Sequence, residues 1–137
     1  MSETNKALMR RWFEEVWNQG RADAIGELMA DDCVIHGLAD ASGNPVRGAE
    51  AFRDFHRQFR GAFPNMNVTV ADVISEGDRV VARCDVRGKH SGDHLGFKAT
   101  NNPVQFTGIA ITRIENGKIA EAWNEFDFTE MNKQLGL

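Results

Sequence analysis

Glu115-Asn116-Gly117-Lys118-Ile119-Ala120-Glu121-Ala122-Trp123-Asn124-Glu125-Phe126-Asp127-Phe128 is the stretch whose reading decides the fold. It opens with Asn-Gly, a pair that tolerates positive φ at both centres of a tight turn and so marks a β-hairpin. Beyond the turn, side chains of a strand alternate between two faces. Trp123 and Asp127 stand four apart, so an unbroken strand carries both on one face. A carboxylate beside a buried indole loses hydration, which favours its neutral form. Asp127 is therefore a candidate proton carrier, with the alternative that it caps a short helix starting near Thr129. Glu121 and Glu125 share the same face, and three carboxylates in one closed pocket are costly. Either one end of the strand is solvated or a bulge breaks the alternation.

Upstream, Val104–Ile114 forms the hairpin's first strand, preceded by a loop-like stretch over Ser91–Pro103. Arg79–His90 alternates for its whole length, and Val68–Ser75 alternates before the turn Glu76-Gly77-Asp78. The N-terminal half has a different period. Leu8, Met9, Trp12, Phe13, Val16 and Trp17 form one helical stripe that ends at Gly20. A short second helix is expected over Arg21–Met29, and a strand over Cys33–Leu38. A loop fills Asp40–Arg47, and a third helix spans Ala49–Phe63 with Phe52, Phe55, His56, Phe59 and Phe63 on one side. Pro64 and Asn65 stop that helix. Thr129–Leu137 reads as a short amphipathic tail. Helices followed by long antiparallel strands give an α+β class: three N-terminal helices packed on a strongly curved, mainly antiparallel sheet. The concave end of such a sheet is a common place for a small-molecule site.

The chain has 137 residues, one domain's length, and a net charge of −4. That acidic balance argues against nucleic-acid binding, which needs a basic face. No apolar run approaches membrane-spanning length, and the first residues lack a signal peptide's apolar core. The expected setting is the cytoplasm. Cys33 and Cys84 are far apart without zinc-site spacing, and both read as reduced, buried thiols.

His90 ends the apolar face Val80, Ala82, Cys84, Val86, Gly88, and a polar group there must find a partner. His36 shares a face with Val34 and Leu38. His56 sits at helical spacing from Phe52 and Phe59, and Trp12 lies on the first helix's apolar stripe; all four can wall a cavity. Arg113 lies on the mixed face of its strand with Gln105, Thr107, Ile109 and Ile111, whereas the opposite face is more apolar. His36, His90 and Asp127 form a conceivable two-His-one-carboxylate set, but nothing in their spacing is diagnostic of a metal. Nucleophile elbows, phosphate loops and dinucleotide fingerprints are absent.

In this order the elements resemble the nuclear-transport-factor-2-like superfamily, an α+β cone, and within it the SnoaL-like polyketide cyclase group. The resemblance covers essentially the whole chain. It rests on Asp31-Asp32-Cys33-Val34-Ile35-His36, Gly88-Lys89-His90-Ser91-Gly92, Phe106-Thr107-Gly108-Ile109, and above all the stretch from Gly117 to Trp123, Asp127 and Gln134-Leu135-Gly136. It implies a deep cone-shaped pocket for a hydrophobic small molecule, chemistry without metal or cofactor, and an intramolecular aldol condensation. The family's catalytic aspartate falls on Asp127, and its two pocket histidines fall on His36 and His90. Trp123, Trp12, Phe52, His56, Phe59 and Arg113 are then expected to bind substrate. Superfamily members often pair through the outer sheet face, so a homodimer is expected. The stretch His94–Asn102 departs from the Pro-Thr-Gly-Lys type of relatives and is expected to reshape the pocket mouth.

Two other branches fit less well. The steroid-isomerase branch uses a Tyr, and this chain has none. The epoxide-hydrolase branch needs an Asp-Arg-Asp set, and Arg83-Cys84-Asp85 puts its charges on the polar strand face. A non-catalytic binding or dimerisation module of the same fold stays open as the alternative.

Overall fold

The computed structural model describes residues 2–40 and 42–137; Met1 and Ala41, the latter inside the expected 40–47 loop, lie outside them. Helix α1 (Ser2–Arg11) runs on through wider π-helical turns (Trp12–Asn18), and α2 (Asp23–Leu28) leads directly into strand β1 (Met29–His36). Helix α3 (Gly48–Ala62) precedes β2 (Asn67–Glu76), β3 (Arg79–Lys89), β4 (Pro103–Glu115) and β5 (Lys118–Phe126), and α4 (Phe128–Gln134) ends the chain. The strands form one sheet in the order β1-β5-β4-β3-β2. β2 to β5 are antiparallel neighbours, whereas β1 lies parallel to β5. The α+β class and the mainly antiparallel sheet are as expected.

The Asn-Gly turn forms as its chemistry requires, with φ of 53° at Asn116 and 75° at Gly117 and Glu115 facing Lys118. After it the register slips. Arg113 pairs with Glu121 but Ile114 with Ile119, so Ala120 is an extra residue in β5. This bulge lets Ile119 and Ala122 both face inward. It also sends Glu121, Trp123 and Glu125 to the outer face and brings Asn124 and Phe126 inside. A second slip between Val70 and Asp72 bends β2.

The core fills the space between the sheet's inner face and the helices. Val80, Ala82, Cys84 and Val86 of β3 and Phe106, Ala110, Thr112 and Ile114 of β4 pack against Met9, Trp12, Phe13, Val16 and Phe52. The more apolar face of β4 is thus the concave one. Both cysteines are free and buried; burial pushes the Cys33 thiol up to about 11 and that of Cys84 to about 12, so both stay protonated. No helix is long and apolar enough to cross a membrane among the described residues.

Candidate functional site

Two neighbouring cavities share a wall of aromatic side chains. An inner chamber of about 70 Å³ is walled by Trp12, Phe13, Trp17 and Phe52 from the helices and by Val86, Phe106, Ala122 and Phe126 from the sheet. Among its described lining side chains, only Thr112 and Asn124 carry hydrogen-bonding oxygens. An outer basin of about 1050 Å³ lies between α3, α4 and two loops, and it shares Phe55, Phe59 and Phe128 with the chamber. Whole ligands usually occupy sites of roughly 300–1,000 Å³. The basin has that capacity, whereas the chamber takes only a leading edge. Loop residues Asp93–Phe97 wall the basin, where a reshaped mouth is expected to lie.

Trp12, Phe52 and Phe59 line the chamber as expected. The other assignments need correction in place. Trp123 does not face the cavity, because the bulge at Ala120 turns it outward. There it stacks on His36 with ring centroids 5.4 Å apart, and Arg79 lies 4.9 Å over its ring. His36 is exposed on the same outer face, and its Nε2 sits 2.8 Å from Glu121 Oε2. Gly37, at φ 85°, shifts the phase after β1, so Leu38 lines the chamber while Val34 and His36 do not. Arg113 is on the outer face as well, bonded to Glu115 at 3.1 Å and to Glu121 at 3.4 Å. His36 first, then Arg113, hold the Glu121 carboxyl below its ordinary range.

His56 is buried but spent on structure. Its Nε2 lies 2.6 Å from the Val16 carbonyl, where the π-helical turns end, and burial lowers its proton affinity. His90 is fully buried, at 0% exposure, between Phe63 and Phe97. The Thr100 backbone N–H donates to its Nδ1 at 3.1 Å. Nδ1 is therefore the bare nitrogen and Nε2 carries the proton. That Nε2–H has no partner among the described residues.

Asp127 is exposed, not desolvated beside Trp123. The strand ends before it, and its Oδ1 accepts the Glu130 N–H at 3.0 Å, capping α4. Its own N–H donates to the Thr107 carbonyl at 3.0 Å. Asp127 stands between two chamber-lining residues, Phe126 and Phe128, at the joint of sheet and helix. Among the described residues no three His, Cys, Asp or Glu side chains lie together as metal ligands. Arg83 bonds Asp72 at 2.7 Å on the outer face, away from the cavity.

A family model for SnoaL-like polyketide cyclase matches residues 7–135. The chain belongs to that family. It is 28% identical over 131 residues to the aklanonic acid methyl ester cyclases DauD of Streptomyces sp. (strain C5) and DnrD of Streptomyces peucetius. Each alignment covers 94% of this chain, with 80% of DauD and 88% of DnrD. Among solved structures, IdmH of Streptomyces antibioticus superposes with a TM-score of 0.80 at 30% identity, covering 97% of this chain and 99% of IdmH. TsrD of Streptomyces laurentii does so with 0.84 at 26% identity, covering 98% and 96%.

Within this SnoaL-like frame, two quoted motifs have structural work. Gln134 grips the start of β4 with both ends of its amide: Nε2 donates to the Gln105 carbonyl at 2.8 Å, and Oε1 accepts the Gln105 N–H at 2.7 Å. Leu135 is buried beside it. Thr107 and Gly108 hold the Asp127 and Phe126 joint. The residue that sequence reasoning missed is Asn124. Its signal was faint: a short polar side chain two residues from each of Ala122 and Phe126, visible as inward-facing only once the bulge is known.

Proposed function

We propose that this chain is a cofactor-free cyclase that closes a ring in a hydrophobic, polyketide-type carbonyl substrate by intramolecular aldol condensation. The observation that carries this reading is an apolar chamber beside a ligand-sized basin, in a chain whose residues 7–135 match a cyclase family. The net change is an isomerisation, so no electrons enter or leave. A base removes the proton from a carbon flanked by a ketone and an ester. The resulting enolate attacks a second ketone carbon, the C–C bond forms, and the new alkoxide takes a proton. One carboxylate can perform both transfers in turn. Asp127 has that role here, at the joint between Phe126 of the chamber wall and Phe128, which borders both chamber and basin. His90 has no part in stabilising the oxygen that develops charge, because its ring lines neither the chamber nor the basin and its Nε2–H is sealed between Phe63 and Phe97. The shaped wall of Trp12, Phe52 and Phe59 supplies orientation, a large term for an intramolecular reaction. The reading includes a homodimer formed through the outer sheet face.

The test is turnover of aklanonic acid methyl ester by wild type and by Asp127→Asn. Turnover that falls at least about a hundredfold in the variant supports the cyclase with Asp127 as acid and base. Full activity in the variant removes Asp127 from that role. One observation favours a second reading, a non-catalytic binding module: the Asp127 carboxylate is already engaged as a helix cap. Binding without turnover by wild type selects it.

A further inference from the structure

We infer that Asn124 is a specificity-determining residue whose side-chain oxygen accepts a hydrogen bond from a hydroxyl on the leading edge of the ligand. The inference rests on the small-molecule pocket reading above, but not on the aldol chemistry.

The orientation of the carboxamide follows from its partner. Asn124 lies 3.0 Å from the main-chain carbonyl of His36. A carbonyl only accepts, so the amide atom facing it is Nδ2 and Oδ1 points the other way. Gly37 makes this contact possible. It lets the end of β1 press against β5 so closely that a Cβ there would collide with the Asn124 carbonyl oxygen. The amide is thereby fixed at one end. Oδ1 accepts no hydrogen bond among the described residues, and it is not sealed off as the unpaired Nε2 of His90 is.

Its surroundings make that open oxygen selective. Thr112, the other oxygen-bearing side chain of the chamber wall, is buried and directs its hydroxyl to Met9 Sδ at 3.2 Å. The rest of the wall is aromatic and aliphatic. A ligand that reaches this wall gives up water, and the side-chain acceptor left open to it is Asn124 Oδ1, beside the indole N–H donors of Trp12 and Trp17. A phenol or enol hydroxyl satisfies that acceptor. A ketone oxygen or a methyl ether in the same place leaves two acceptors face to face, and the half-buried Asn124 oxygen loses water without gaining a donor. The site therefore sorts ring systems by whether the leading ring carries a free hydroxyl.

The test compares binding of 2-naphthol and 2-methoxynaphthalene by titration calorimetry to wild type and to Asn124→Leu. Both probes are bicyclic and fit the leading-edge role. Wild type is expected to bind 2-naphthol about fivefold more tightly, and Asn124→Leu is expected to bind both alike. If the naphthol preference persists in Asn124→Leu, or if wild type binds both probes equally, the Asn124 assignment falls while the pocket reading stands. If wild type binds neither probe, the pocket reading falls and takes the assignment with it. Should Asn124→Leu fail to melt cooperatively, Asn124→Ala, which adds no bulk, is used with the same expectations.

Discussion

Asp127 is where chemistry and architecture compete for one side chain. Its Oδ1 caps α4, and asparagine caps a helix as well as aspartate does. Asp127→Asn should therefore melt within about a degree of wild type, whereas Asp127→Ala should lose about 1 kcal/mol by chemical denaturation. An activity loss in the asparagine variant is then free of any folding effect. If both variants are equally destabilised, the cap is not what Asp127 contributes. His56 gives a second residue-level prediction. Burial is the main cause of its lowered proton affinity, only partly offset by its bond to the Val16 carbonyl. The unfolded chain then binds a proton near pH 6.5 that the folded chain resists, so stability is fully present above pH 6.5 and falls as pH drops below it. His56→Leu should remove that part of the acid slope while costing roughly 1–3 kcal/mol at neutral pH through the lost buried bond. Urea titrations of both proteins from pH 5 to 8 check the sign, and an unchanged slope in the variant refutes the assignment.

The elements themselves were largely legible, and the reasons are periodic. The stripe from Leu8 to Trp17, the aromatic run from Phe52 to Phe63 and the alternation from Arg79 to His90 each repeat often enough to fix type and inward face. The Asn116-Gly117 turn was legible because few residues accept its φ values. What escaped was phase. Ile-Ala-Glu-Ala reads as plain alternation, and nothing in composition marks Ala120 as the extra residue. One bulge therefore moved Trp123 and its neighbouring glutamates to the outside, and Gly37 separated Leu38, which turns inward, from His36 and Val34, which do not. The cost of crowding three carboxylates was the only hint. Gly37 also lets a prediction be made for an element junction. Gly37→Ala meets the Asn124 backbone and holds an L-residue at φ 85°. It should cost upwards of about 1–2 kcal/mol, and by moving Asn124 it should weaken ligand binding as well. A variant that melts like wild type and binds unchanged would show that β1 and β5 can part here without consequence.

At the scale of the whole molecule, the outer face of the sheet is the surface that remains to be accounted for. Val34 is 48% exposed there and Ile109 43%, on strands that flank β5 and the half-buried Trp123, while Ile74 on β2 is 64% exposed. The charges among them are largely matched within the chain: Arg83 with Asp72 at 2.7 Å, and Arg113 with Glu115 at 3.1 Å and Glu121 at 3.4 Å. A face whose charges are paired internally presents little net repulsion to a second copy of itself, and its apolar side chains gain by leaving water. In a two-fold pairing each residue enters the interface from both copies, so a single substitution acts twice. Ile109→Lys places a new cation on each protomer without touching the inner wall of the cavity, because Ile109 faces away from Ala110. Wild type should elute as a dimer at micromolar concentration, and Ile109→Lys as a monomer with an unchanged unfolding midpoint when both are measured below the dimer's dissociation range. A monomeric wild type rules out the pairing altogether. A variant that stays dimeric moves the interface off this face and leaves Trp123, clasped between His36 and Arg79, as a packing device of the single chain.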